Sequence, residues 1–232
     1  MAKTALGLDI GTKYIKFVEL QNLSKDRYHL LALGMAPAPA KGIMSDAPID
    51  QEALAVSIQK LLKDASVRTK SVLAALPEAN VFTRIVQVPP LSERELASAI
   101  KWEAEQYIPL PLEEVNMDFS IVGESKDPEG NKKLDVLLVA APRNLIDRYT
   151  KILEMCDLEV EALETEIISA SRALLPSSPS KPLTVMVVNL GAKTTDLSIL
   201  RNGVIAFTRS IPSGGENFTR VLSQDLGFAL PQ

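Results

Sequence analysis

The stretch that decides the fold is Leu8-Asp9-Ile10-Gly11-Thr12-Lys13, together with its echo Val188-Asn189-Leu190-Gly191-Ala192-Lys193. Each is the end of an apolar run followed by a glycine turn. Aligning them sets Phe17 opposite Leu197 and Leu20 opposite Leu200, so a strand, a tight turn and a return strand occur twice. Glycine suits such a turn because it lacks a Cβ and lets backbone N–H groups come close to an anion. Two turns of this kind, far apart in the chain, suggest a clamp that grips a polyphosphate from two sides.

The side chains around the first turn fit that task. Asp9 closes a buried strand, where it can hold Mg²⁺ through water, since this ion keeps most of its hydration and takes one or two carboxylates beside phosphate oxygens. Thr12 offers a hydroxyl to a phosphate. Lys16 stands seven residues past Asp9 on the return strand and supplies a positive charge for phosphate oxygens. Asp-Ile-Gly-Thr alone is a common hairpin sequence, and it is the repeat that raises phosphate binding above that reading.

Working outward, the first meander reads as strands over residues 5–8, 14–20 and 28–35. A proline-rich loop leads to a helix expected to start at Asp50 as N-cap, with Ala53, Leu54, Ile58, Leu61 and Leu62 on one face. A buried strand follows at 72–76. From about residue 81 the character changes. Ser92 and Glu95 form a capping box for a helix that Pro109 and Pro111 stop. Strands over 115–122 and 134–141 flank a turn through Asp127, Pro128, Glu129 and Gly130, and a helix from about Asn144 carries Leu145, Ile146, Tyr149, Ile152 and Leu153. A further helix holds Ile167, Ile168, Ala170 and Leu174, a Ser/Pro linker occupies 176–182, and a second meander begins at Leu183.

Composition bounds the function. The chain has 232 residues, 46% of them hydrophobic, and a net charge of -4, with no clustered Lys/Arg excess of the kind a nucleic-acid surface shows. Cys156 is its single cysteine, which rules out an internal disulfide framework and fits a reducing compartment. No signal peptide opens the chain and no uncharged apolar run is long enough to span a bilayer, so membrane association is expected only through a partner. His29 has no second histidine to join and fits a strand position, and Cys156 fits a packing residue. Trp102 and Tyr107 share one helix, either as core aromatics or as partner contacts.

These residues carry a resemblance. Asp9-Ile-Gly-Thr-Lys13 with Lys16 resembles the first phosphate motif of the actin, heat-shock chaperone and hexokinase superfamily, and Asn189-Leu-Gly-Ala-Lys-Thr-Thr-Asp196 resembles the second. Phe82-Thr-Arg-Ile-Val86, Leu91-Ser-Glu-Arg-Glu-Leu96, Glu103-Ala-Glu-Gln-Tyr-Ile-Pro109 and Ile211-Pro-Ser-Gly-Gly-Glu216 resemble the PilM family of type IV pilus assembly proteins, similar in layout to the cell-division protein FtsA. The resemblance implies an α/β, actin-like (ribonuclease H-like) fold with a small inserted α+β subdomain. It places the first actin-like subdomain at 1–80 plus 158–181, the insert at 81–157, and the start of a second, incomplete actin-like half at 182–232.

For function, the resemblance implies ATP and Mg²⁺ as cofactors. Asp9, Gly11, Thr12 and Lys16 would meet the β- and γ-phosphates and the metal, Gly191, Lys193 and Thr194 would form the second phosphate loop, and Lys13, Asn189, Gly214 and Gly215 would join them in binding the cofactor. Glu164 or Glu166 would position the attacking water, and the sequence leaves both open. Asn189 stands where the superfamily usually has aspartate, which implies slow turnover at most. The implied partner is the N-terminal cytoplasmic peptide of PilN, docked near the junction of the insert and the first subdomain, with other pilus platform proteins and self-association left open. The implied location is the cytoplasmic face of the inner membrane. Two other readings remain: an FtsA-like or secretion-system adaptor with a decayed nucleotide site, and a small-molecule kinase of the same superfamily.

Overall fold

The computed structural model describes residues 3–24, 27–175 and 182–229, so most of the expected linker at 176–182 lies outside the described residues. Among the described residues the strands form three sheets. The first contains β1 (Thr4–Ile10), β2 (Tyr14–Ser24), β3 (Arg27–Pro37), β4 (Ser71–Leu76) and β8 (Glu159–Thr165), in the order β3-β2-β1-β4-β8. β1, β2 and β3 form the expected antiparallel meander, while β4 and β8 join in parallel.

Strict alternation decides what each face of this sheet does. Leu6, Leu8 and Ile10 of β1 and Val72, Ala74 and Leu76 of β4 are buried on one face, under α1 (Pro48–Asp64) and α3 (Arg143–Met155). The intervening Gly7, Asp9, Leu73 and Ala75 therefore look out of the other face. Helix α1 starts at Pro48, with Ala47 as its N-cap, rather than at Asp50. Proline pre-sets the first helical φ and takes the start. Asp50, inside the first turn, accepts a hydrogen bond from Ser45 and pairs with Lys41 at 3.2 Å.

Helix α3 falls inside the span 81–157 expected for the insert, yet its apolar stripe of Leu145, Tyr149, Ile152 and Leu153 packs in the first sheet's core. Strand β8 is one the sequence reading passes over, running from a loop directly into a helix. Glu159, Glu161 and Glu164 give it a charged look, and it pairs only with β4 at the sheet edge.

Between β4 and β8 lies a second sheet, β5 (Phe82–Val88), β7 (Lys132–Pro142) and β6 (Val115–Lys126) in that spatial order, covered by α2 (Glu93–Tyr107). The capping box at its start forms in full: Ser92 accepts from the Glu95 amide, and Glu95 accepts from the Ser92 amide at 3.0 Å. Leu96, Ile100 and Ala104 face Val86, Val136 and Leu138. Trp102 does not join that core, being 74% exposed, and Tyr107 lies at the surface beneath the Arg84 guanidinium, 3.7 Å from its ring centre. Cys156 is buried and its thiol is pushed up to about 11 by burial, as a packing residue requires.

The third sheet contains β9 (Thr184–Leu190), β10 (Thr195–Arg201) and β11 (Val204–Ile211), followed by α5 (Gly215–Leu226). Helix α4 (Glu166–Leu174) is wedged between sheets. Its Ile167 packs with Val187, Leu200 and Ile205 of the third sheet, while Ser169, Ala170 and Ala173 look back over the first. No helix among the described residues is long and apolar enough to cross a membrane.

Candidate functional site

The two glycine hairpins close in the same way. The Gly11 amide donates to the Tyr14 carbonyl at 3.1 Å, and the Gly191 amide donates to the Thr194 carbonyl at 2.9 Å. A Cβ on Gly11 would sit 2.8 Å from the Tyr14 carbonyl oxygen and one on Gly191 would sit 3.1 Å from that of Thr194, so both turns are tight enough to favour glycine.

A cleft of about 470 Å³ lies over the outer face of the first sheet. It is lined from the first sheet by Asp9, Lys16 and Glu164, from α4 by Glu166, and from β9 by Asn189. Sequence-distant candidates thus meet in one place. Asp9 and Lys16 are cross-strand partners and form an ion pair at 2.7 Å. Asn189 donates its side-chain amide to Glu166 Oε2 at 3.2 Å, a bond that ties the third sheet to α4. Thr12, Lys13 and Lys193 are exposed on the turns themselves.

The two carboxylates left open by sequence differ here. Glu164 is held by Arg172 in an ion pair. Glu166 is pushed up to about 7, first by burial and then by the neighbouring Asp9 and Asp196, with Lys16 opposing. Its carboxyl is therefore partly protonated near neutrality. Tyr149, buried beneath the site, is raised above the usual phenol value by burial and by the charges of Glu166 and Asp9.

Gly214 and Gly215 support the second turn. The amides of Gly215 and Glu216 donate to the carbonyls of Gly191 and Ala192 at 2.9 and 3.0 Å, so these donors hold the turn and are not free for a phosphate. A Cβ on Gly214 would stand 2.5 Å from the Ala192 carbonyl oxygen, which accounts for glycine there.

Two residues that the sequence reading did not single out lie near enough to Glu166 for their charge to raise its proton affinity. Asp196 is 2% exposed, and its Oδ1 has no hydrogen-bond partner. It occupies the inward phase of β10 with Ser198 and Leu200, and a carboxylate in a buried phase is the signal that could have marked it. Glu78, 5% exposed with Oε2 unpartnered, lies on the turn after β4 and carries no such pattern.

The donor set suits Mg²⁺. It is all oxygen, it includes an unpartnered buried carboxylate oxygen, and it crowds negative charge that a cation would relieve. Among the described residues no three acidic, His or Cys side chains converge as a metal cage, so phosphate oxygens and water would have to complete the coordination.

A second cavity, about 620 Å³, opens where the insert meets the first sheet's helices. Leu110, Glu113 and Glu114 line it from the insert's side, Met44 and Asn80 from loops of the first unit, and Pro142, Arg143, Leu145 and Arg148 from the start of α3.

Two glycine hairpins that open two separate meander sheets, with a cleft lined by the first sheet, α4 and β9, fit an actin-like fold. The solved structures that it resembles agree. The PilM-PilN type IV pilus biogenesis complex superposes with a TM-score of 0.78 at 28% identity, covering 97% of this chain and 66% of that one. The cytoplasmic domain of EpsL, an inner-membrane component of the type II secretion system of Vibrio cholerae, superposes with a TM-score of 0.56 at 16% identity, over 99% of this chain and 79% of that one, which speaks for the fold alone. The family model described as type IV pilus assembly protein PilM matches residues 7–231, and the chain belongs to that family. Among curated relatives, the cell division protein FtsA of Neisseria meningitidis is 23% identical over 94% of this chain, which spans 57% of that protein's length.

Proposed function

We propose that this chain is a nucleotide-responsive scaffold of the type IV pilus inner-membrane platform, with ATP and Mg²⁺ seated between the glycine hairpins and the cytoplasmic N-terminal tail of PilN in the second cavity. The observation that carries it is the meeting of Asp9, Lys16, Glu166 and Asn189, from three separate segments, in one cleft. The units follow the sheets: the first sheet with α1 and α3, the insert around β5-β7-β6, and the third sheet leading into a second half.

Bound Mg²⁺ would neutralise phosphate charge and fix the phosphates for attack. Asp9 would orient a metal-bound water, Lys16 would face the phosphate oxygens, and Glu166, positioned by Asn189, would hold the water that attacks. Asn189 adds no charge, so turnover is slow and the conformational consequence of binding matters more than the rate. Glu164, occupied by Arg172, is left with a structural role.

For the peptide, the second cavity offers apolar contacts from Met44, Leu110 and Leu145, and Glu113 and Glu114 suit a basic residue. The position at the cytoplasmic side of the inner membrane follows from that partner. Isothermal titration with a synthetic PilN N-terminal peptide tests the reading. Saturable heat that Glu114→Lys abolishes supports it, and a folded sample that gives no heat at high micromolar peptide removes it.

A further inference from the structure

The single turn Glu78–Asn80, between β4 and β5, has two ends that face different sites. Asn80 lines the second cavity. Glu78 is buried beside Thr165, Thr208 and Asp196, where the turn packs against β11. Thr165 is the N-cap of α4 and the neighbour of Glu166, and Thr208 sits on β11, opposite Ser198 in the third sheet. A three-residue turn therefore links a contact to the third sheet with the wall of the groove.

The joint is also incompletely satisfied. Glu78 Oε2, Asp196 Oδ1 and Ser210 Oγ are buried without partners, although Asp196 and Ser210 are directly paired strand neighbours. Unpaired buried polar atoms are costly, so such a cluster gains when a shift of the third sheet gives it new partners. A packed element with two discrete arrangements is what coupling between sites requires.

Building on the nucleotide and peptide sites assigned above, we propose that Glu78 is a coupling residue, transmitting the position of the third sheet through Thr208 to Asn80 and so making peptide affinity depend on what occupies the cleft. The turn acts as a rocker. Its acidic end follows β11, and its amide end opens or narrows the groove. Because linkage is reciprocal, peptide binding changes nucleotide affinity by the same factor.

The experiment measures the dissociation constant of the synthetic PilN N-terminal peptide by isothermal titration, with and without saturating ATP and Mg²⁺, for the unaltered chain, Glu78→Gln, Glu78→Leu and Thr208→Val. The expected result is a nucleotide effect of about fivefold or more in the unaltered chain, kept by Glu78→Gln, which preserves shape and an acceptor oxygen, and reduced to under about twofold in Glu78→Leu and Thr208→Val. Circular dichroism checks that each variant folds, and Thr208→Val carries the test if Glu78→Leu does not. If both ligands bind and the nucleotide effect is absent in the unaltered chain, or survives in Glu78→Leu and Thr208→Val, the coupling role is overturned while the sites stand. If either ligand fails to bind the unaltered chain, the function proposed above falls, and the coupling falls with it.

Discussion

At the residue scale, Glu166 shows what it costs to bury a carboxylate among other acids. Folding raises its proton affinity, from an ordinary 4.5 to about 7, because burial and the charges of Asp9, Asp196 and Glu78 disfavour the carboxylate more than Lys16 favours it. A group of this kind contributes nothing adverse below pH 4.5 and destabilises progressively as pH rises toward 7. Glu166→Gln is therefore expected to match the unaltered chain near pH 4 and to exceed it by about 1–3 kcal/mol at pH 8, after discounting for partial exposure. Urea unfolding at several pH values checks this, and a difference that shrinks as pH rises would contradict the assignment. Gly214 is the opposite case, a residue fixed by space and not by charge. Its φ of -140° is accessible to any residue, yet a Cβ would stand 2.5 Å from the backbone oxygen of Ala192. Gly214→Ala should cost about 1–3 kcal/mol as overpacking against backbone that cannot yield, read as a lower urea midpoint at unchanged slope.

At the element scale, local signals that match tertiary packing were legible and those overruled by it were not. The hairpins at Gly11 and Gly191 and the capping box at Ser92 could be read directly, because glycine spacing and a Ser-x-x-Glu pattern act within a few residues. Ser92→Ala should accordingly cost about 1 kcal/mol, measured as earlier melting of the insert. Strand β8 was hidden because three glutamates interrupt its apolar residues, and only the neighbouring β4 makes it a strand. The membership of α3 was hidden too: its stripe of apolar residues announces a buried face without saying against which sheet. Of the residues lining the cleft, Asp9, Lys16 and Asn189 could be named from two short motifs, while Glu166 was left level with Glu164 because only the fold shows which of the two Arg172 holds. Glu78 could not, since its importance comes from Thr165 and Thr208, which lie 87 and 130 residues further along the chain. The packing of α3 has a direct consequence. Ile152, fully buried between α1 and β-strands of the first sheet, should cost about 2–5 kcal/mol when cut to alanine, and hydrogen exchange should quicken in β1 and β4 rather than in the insert.

At the scale of the whole molecule, the apolar clusters of the three sheets share no buried residue, so the units are joined by α4, the Glu78 turn and strand contacts instead of by one continuous core. Such a chain can open one unit at a free energy below that of global unfolding. The two cavities described above lie where units meet: the cleft between the first and third sheets, and the groove between the insert and α3. A ligand in either place gains or loses affinity with the relative position of its walls, so under the function proposed above nucleotide binding alone, without fast hydrolysis, would be enough to move the scaffold. Ile100 tests the point. It is 1% exposed in the insert's own cluster and lines neither cavity. Ile100→Ala should remove about 2–5 kcal/mol from the insert alone, raising amide exchange in β5, β6 and β7 while β1 and β4 keep their protection. Peptide affinity should fall, because Leu110, Glu113 and Glu114 then spend more time away from the α3 wall, whereas nucleotide affinity should change by less than about twofold. Equal loosening of all three sheets would instead mean that the molecule unfolds as one cooperative body, and the positions of its units could not then serve as a signal.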